Sequence, residues 1–119
     1  MNRIATPSLF IRLQFPGGDR FGPGKADLLE AIDRTGSISE AARTMRMSYR
    51  RAWLLVDGTN KLFGKPVVTA GPGGRQGGGA RLTAFGRAVH ARYRRLTRAI
   101  TKAAASDLAQ FSRWAARLA

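Results

Sequence analysis

Cysteine is absent from the 119 residues. That excludes disulfides, thiolate nucleophiles and Cys-ligated zinc, and it leaves the compartment unmarked by redox chemistry. Histidine is nearly as scarce. His90 is the sole one, so no His cluster can hold a metal. No apolar run approaches the roughly 18 residues of a membrane span. The stretch 1–11 has an apolar patch but neither the long apolar core nor the small-residue cleavage site of a secretion signal. The expectation is a mature cytoplasmic protein with no membrane partner. Acid is also short, with seven Asp and Glu against 21 Lys and Arg. A length of 119 residues suits one domain with a modest core, plus an appended helix.

The formal charge of +14 is unevenly placed. Residues 1–40 hold five basic and five acidic residues. Residues 41–119 hold 16 basic residues against only Asp57 and Asp107. Such a field attracts phosphate backbones, and the predominance of Arg suits bidentate contact with phosphate or guanine. A solubilising surface and attraction to anionic membrane are the rival readings of charge alone.

Periodicity gives the order of elements. Residues 8–15 alternate as a strand, with Leu9, Ile11, Leu13 and Phe15 on one face. Pro16 to Asp19 is a turn. A helix is predicted over Lys25 to Thr35 on Ala26, Leu28, Leu29 and Ile32, stopped by Gly36. Ser37-Ile38-Ser39-Glu40 offers a capping box, followed by a short helix from Glu40 to Met45. Ser48 caps a third helix, Tyr49 to Phe63, in which Ala52, Val56, Thr59 and Phe63 share one face, and which ends at Gly64. Pro66 to Ala70 and Ala80 to Leu82 read as strands about a segment with six glycines in nine residues, Gly71 to Gly79. Thr83 caps a long amphipathic helix, with a break near Ser106-Asp107. The fold class is mainly α with a small β component, a winged helix-turn-helix with a long C-terminal helix. The expected division is 1–82 for the winged domain and 83–119 for a helix that forms a dimer interface through Leu96, Ile100, Leu108, Phe111 and Trp114.

Chemistry concentrates at the start of the third helix. The second helix of such a unit presents its N-terminal end to base edges, and here that end holds Ser48, Tyr49, Arg50 and Arg51. Arginine donates to guanine or phosphate; hydroxyls and helix N-terminal amides suit phosphate. Ser39, at the short helix, joins them as an expected DNA contact. In the Gly-rich segment Arg75 would be the cation at a wing tip, and Arg81 at its base would meet the backbone. A nucleotide loop is disfavoured, because Gly-Lys-[Ser/Thr] is missing and Gln76 stands where a dinucleotide motif needs its third Gly. Asp27, Glu30 and Asp33 read as a solvated face, and Trp53 and Trp114 as core or interface residues. No cofactor and no enzymatic activity are expected. The partners predicted are double-stranded DNA and a second copy of the chain. A coating protein of the nucleoid with little sequence preference is the alternative.

Three stretches, Leu28 to Arg43, Met47 to Asp57 and Gly77 to Gly86, resemble the N-terminal domain of the ModE family of molybdate-responsive regulators. The resemblance covers residues 8–98. It implies a winged helix-turn-helix similar to that of LysR-type regulators, operator binding as a dimer at the bacterial nucleoid, and DNA contacts by Tyr49, Arg50, Arg51 and Arg75. Two departures stand out. Gly58-Thr59 replaces the family's Glu-Met, which weakens the far end of the helix by up to about 1 kcal/mol. The family's molybdate-binding domains also have no counterpart in these residues, so molybdate binding by this chain alone is not expected.

Overall fold

In the computed structural model, which describes residues 6–71 and 79–118, the chain forms helices α1 (Pro23–Thr35), α2 (Ile38–Thr44), α3 (Tyr49–Phe63), α4 (Ala84–Ala103) and α5 (Ala105–Leu118). Two antiparallel pairs accompany them: β1 (Leu13–Gln14) with β2 (Arg20–Phe21), and β3 (Val68–Ala70) with β4 (Ala80–Leu82). Mainly helical structure with small hairpins is the winged helix-turn-helix arrangement expected.

The first strand is much shorter than its alternation implies. Only Leu13 and Gln14 pair, and Leu9 and Phe10 are exposed. The partner strand sets this limit. It has two residues before Gly22 and Pro23 open α1, so residues 8–12 have no ladder to join. The carbonyl of Ile11 accepts instead from the Tyr93 hydroxyl at 2.6 Å.

α1 begins two residues earlier than predicted. Pro23 suits a first turn that has no use for its missing N–H. Gly36 ends the helix in the left-handed region at φ 74°. α2 also starts early, at Ile38. Ser37 Oγ accepts from Glu40 N at 3.1 Å, the expected half of the capping box. For the other half, Thr35 Oγ1 accepts the Ser37 N–H at 3.3 Å. The turn into α3 places Arg46 at φ 57°, the one described non-glycine residue with positive φ. α3 has the predicted bounds, with Ser48 Oγ accepting from Arg51 N at 3.1 Å, and it runs through Gly58 without a break.

Alanines let the three helices cross closely. Ala31, Ala41, Ala42 and Ala52 lie in one buried cluster with Leu28, Ile32, Val56 and Ala80. A second cluster joins Phe21, Ala26, Leu29, Val67, Leu82 and Tyr93, bordered by Phe15, Phe63, Phe85 and Val89. Its rings meet edge to face, Phe21 with Tyr93 at 5.3 Å and Phe63 with Phe85 at 5.8 Å.

The β3–β4 hairpin is held to this body by specific bonds. Asn60 Oδ1 accepts from the buried Val67 N at 2.7 Å, Thr83 Oγ1 donates to Pro66 O at 2.7 Å, and Ala80 N donates to Gly36 O at 2.9 Å. Gly86 packs so tightly on the Val67 carbonyl that a Cβ there would lie 2.1 Å from its oxygen.

Of the three acids of α1 read as a solvated face, Asp33 is exposed and in no ion pair among the described residues, whereas Asp27 and Glu30 are half-exposed but paired. Arg94 of α4 donates to Asp27 at 2.6 Å and Glu30 at 3.1 Å, and His90 lies 3.3 Å from Glu30. The partners lie 60 and 64 residues along the chain from Glu30, beyond the reach of local spacing. The long C-terminal helix breaks at Ala104, two residues before the expected point, and α5 follows directly. The radius of gyration is 17.4 Å, against about 13.5 Å for a compact chain of this length.

Candidate nucleic-acid interface

Three helical rows divide the N-terminal half of α3. Ser48 leads the row that buries Ala52 and Val56, which anchors the helix to α1 and α2. Tyr49 and Trp53, four residues apart, form a second row, exposed by 54% and 46%. Arg50 and Leu54 form a third, also exposed, with Arg51 beside it. The polar end predicted from Ser48 to Arg51 is therefore free of the core. No acid is paired with either arginine among the described residues.

Between α3 and the β3–β4 hairpin lies an open cleft of about 460 Å³. Ser39, Tyr49, Trp53, Asn60, Thr69 and Gly79 are among the residues that line it. Ser39 and Tyr49 thus meet at one cleft. Arg50 and Arg51 face away from it, in a separate depression with Ser48 and Leu54. Arg81 is exposed on β4, paired across the hairpin with Thr69. Arg75 lies outside the described residues. The expected interface residues of the long helix differ among themselves. Leu96 and Leu108 are half-buried, whereas Ile100, Phe111 and Trp114 are exposed.

Trp53 is not a core residue. Expected in the core or an interface, it stands half in solvent on the Tyr49 row. The signal was present: four residues after an exposed tyrosine, on a helix whose buried row passes through Ala52, Trp53 must follow Tyr49. The N-terminal hairpin was also overlooked as a site. It supplies Arg12 and Arg20 to a second cleft beside Arg51.

The electrostatics of the α1–α4 junction are distinct from this surface. Glu30 is held below its ordinary value, first by the Arg94 hydrogen bond and then by His90. Burial pushes the Tyr93 phenol up. Among the described residues no group of three His, Asp or Glu side chains is placed to hold a metal. No helix there is long and apolar enough to cross a membrane.

Curated relatives share much of this sequence. The molybdenum-pterin-binding protein MopA of Rhodobacter capsulatus is 47% identical over 93 residues, which are 78% of this chain and 35% of MopA. The molybdenum transport protein ModE of Azotobacter vinelandii is 51% identical over 69 residues, 58% of this chain and 26% of that protein. The chain is a ModE-like winged helix-turn-helix. The DNA-binding transcriptional dual regulator ModE of Escherichia coli K12 is 39% identical over 64 residues, 54% of this chain and 24% of its own length. The ModE-like chain spans about a third or less of the curated relatives it matches. No family model matches it. Among solved structures, the CbnR DNA-binding domain in complex with DNA superimposes with a TM-score of 0.58, over 73% of this chain and 94% of that one. At 17% identity that likeness establishes the shared fold alone.

Proposed function

We propose that the ModE-like chain is a sequence-specific double-stranded DNA-binding module of a transcription regulator, and not an enzyme. One observation carries this reading. The N-terminal turn of α3 leaves Tyr49, Arg50 and Arg51 exposed beside the helix terminus, while the Ala52, Val56 and Thr59 face fixes the helix in the core. A rigid helix with donors at its free N-terminal end fits the major groove. In this reading Arg50 and Arg51 contact base edges or phosphates. Ser39, Ser48 and Tyr49 hold the backbone, and Arg75 and Arg81 extend the contact along the Gly-rich hairpin. The names of the relatives agree with regulation, and the excess of cations after residue 40 supplies non-specific attraction.

The chain acts as a homodimer through the second half of α4 and α5. Phe111 and Trp114 meet edge to face at 5.2 Å yet are 58% and 48% exposed, and Ile100 is 37% exposed. Such a patch is better covered by a two-fold mate. Leu96 and Leu108 extend it.

Selection of bound duplexes from a random library tests the reading. A palindromic consensus is the expected result. Retention without enrichment would instead favour the coating protein, which the charge of +14 also suits.

A further inference from the structure

The N-terminal hairpin carries cations that the reading of α3 leaves without a role. A cleft of about 390 Å³ separates it from α3, lined by Phe10, Arg12, Arg20, Lys25, Met47 and Arg51 among others, and no acidic side chain lines it. None of these four cations is ion-paired among the described residues. Residues 1–40 are neutral in sum, which hides this concentration in the sequence. Asp27 and Glu30 pair with Arg94 and His90 on α4, and Asp19, beside Arg20 in the hairpin, is not among the residues that line the cleft.

The position matters as much as the charge. Arg51 lies two residues from Tyr49, about 200° around α3, so its side faces away from the β3–β4 hairpin. The cleft therefore abuts the N-terminal end of α3 on the side opposite the wing. A helix seated in a groove of duplex DNA has a phosphate strand on each side of it. The wing meets one of those strands.

We infer that the cleft between the N-terminal hairpin and α3 binds phosphates of the second strand, so that Arg12 and Arg20 make the hairpin a second clamp on the duplex. This deepens the DNA-binding reading and rests on it. Arg12 is held for the task, since its side-chain stem packs over Gly22, where a Cβ would lie 3.1 Å from its Cγ. The Lys25 ammonium donates to the Arg20 carbonyl and ties the hairpin to the first turn of α1. Phe10, 73% exposed, offers an apolar wall to the sugar beside the phosphate.

The test compares the unaltered chain with Arg12→Gln/Arg20→Gln and Arg12→Lys/Arg20→Lys, which keep the stems that pack. Anisotropy is read on the library-selected duplex and on a random duplex from roughly 50 to 200 mM salt. The Gln pair should flatten the slope of log K against log salt by about 2 for each protomer, so by about 4 for the dimer, equivalent to on the order of 100-fold less loss of affinity over that range. It should weaken both duplexes alike, and the Lys pair should restore the slope. An unchanged slope with the Gln pair overturns the clamp, as does a loss confined to the selected duplex. If the unaltered chain binds neither duplex, the DNA reading itself fails. Capture by vesicles of anionic phospholipid in place of duplex would give the cations to a membrane surface and overturn the inference.

Discussion

Arg46 and Gly86 show how single residues set the geometry of the interface. Arg46 occupies the left-handed region in the turn between α2 and α3, where a β-carbon is unfavourable. Arg46→Gly should stabilise the fold by about 0.5–1 kcal/mol, seen as a higher urea midpoint at constant m-value. Gly86 is the opposite case. A side chain there would collide with the Val67 backbone and push α4 from the hairpin, so Gly86→Ala should destabilise by about 3 kcal/mol or more. Glu30 links charge to stability. Its carboxyl is depressed by Arg94 and His90, so the folded state favours its ionised form. That contribution is present above the unfolded carboxylate range and is lost as pH falls through the lower folded value. The stability gap between the unaltered protein and Glu30→Gln should accordingly be widest near neutrality and close on acidification. A gap that widened in acid would contradict the pairing.

At the scale of elements, α3 and its flanks were the most legible part of the chain. Ser48, the Ala52-Val56-Thr59 row and Gly64 are local signals, and the helix has the bounds they imply. The Ala80–Leu82 strand and the Thr83 cap were equally local. What escaped were features decided by distant residues. The β1 strand lost most of its length because its partner is short, and Asp27 and Glu30 of α1 found Arg94 across the fold. The N-terminal cleft gathers Arg12, Arg20 and Lys25 with Arg51, which is 26 residues or more away in sequence. Gly58 is the weak point visible in the sequence. It sits within an unbroken helix, and a methyl group added there would meet nothing within 4 Å, so Gly58→Ala should add about 0.5–1 kcal/mol. A chemical denaturation series that includes Arg46→Gly would place both gains on one scale.

For the whole molecule, the extended shape and the exposed Phe111–Trp114 pair point away from a solitary chain. Light scattering at micromolar concentration should give twice the chain mass of 12.9 kDa. Phe111→Ala/Trp114→Ala should return it to the single mass without lowering the helix content of α1 to α3. The measurement closest to the central claim is the affinity of Arg50→Ala and Arg51→Ala for the selected duplex and for a random one. A residue that reads a guanine should cost about 1–3 kcal/mol on the selected site and much less on the random duplex. Equal losses on both duplexes for both variants would contradict the assignment of α3 as the reading helix.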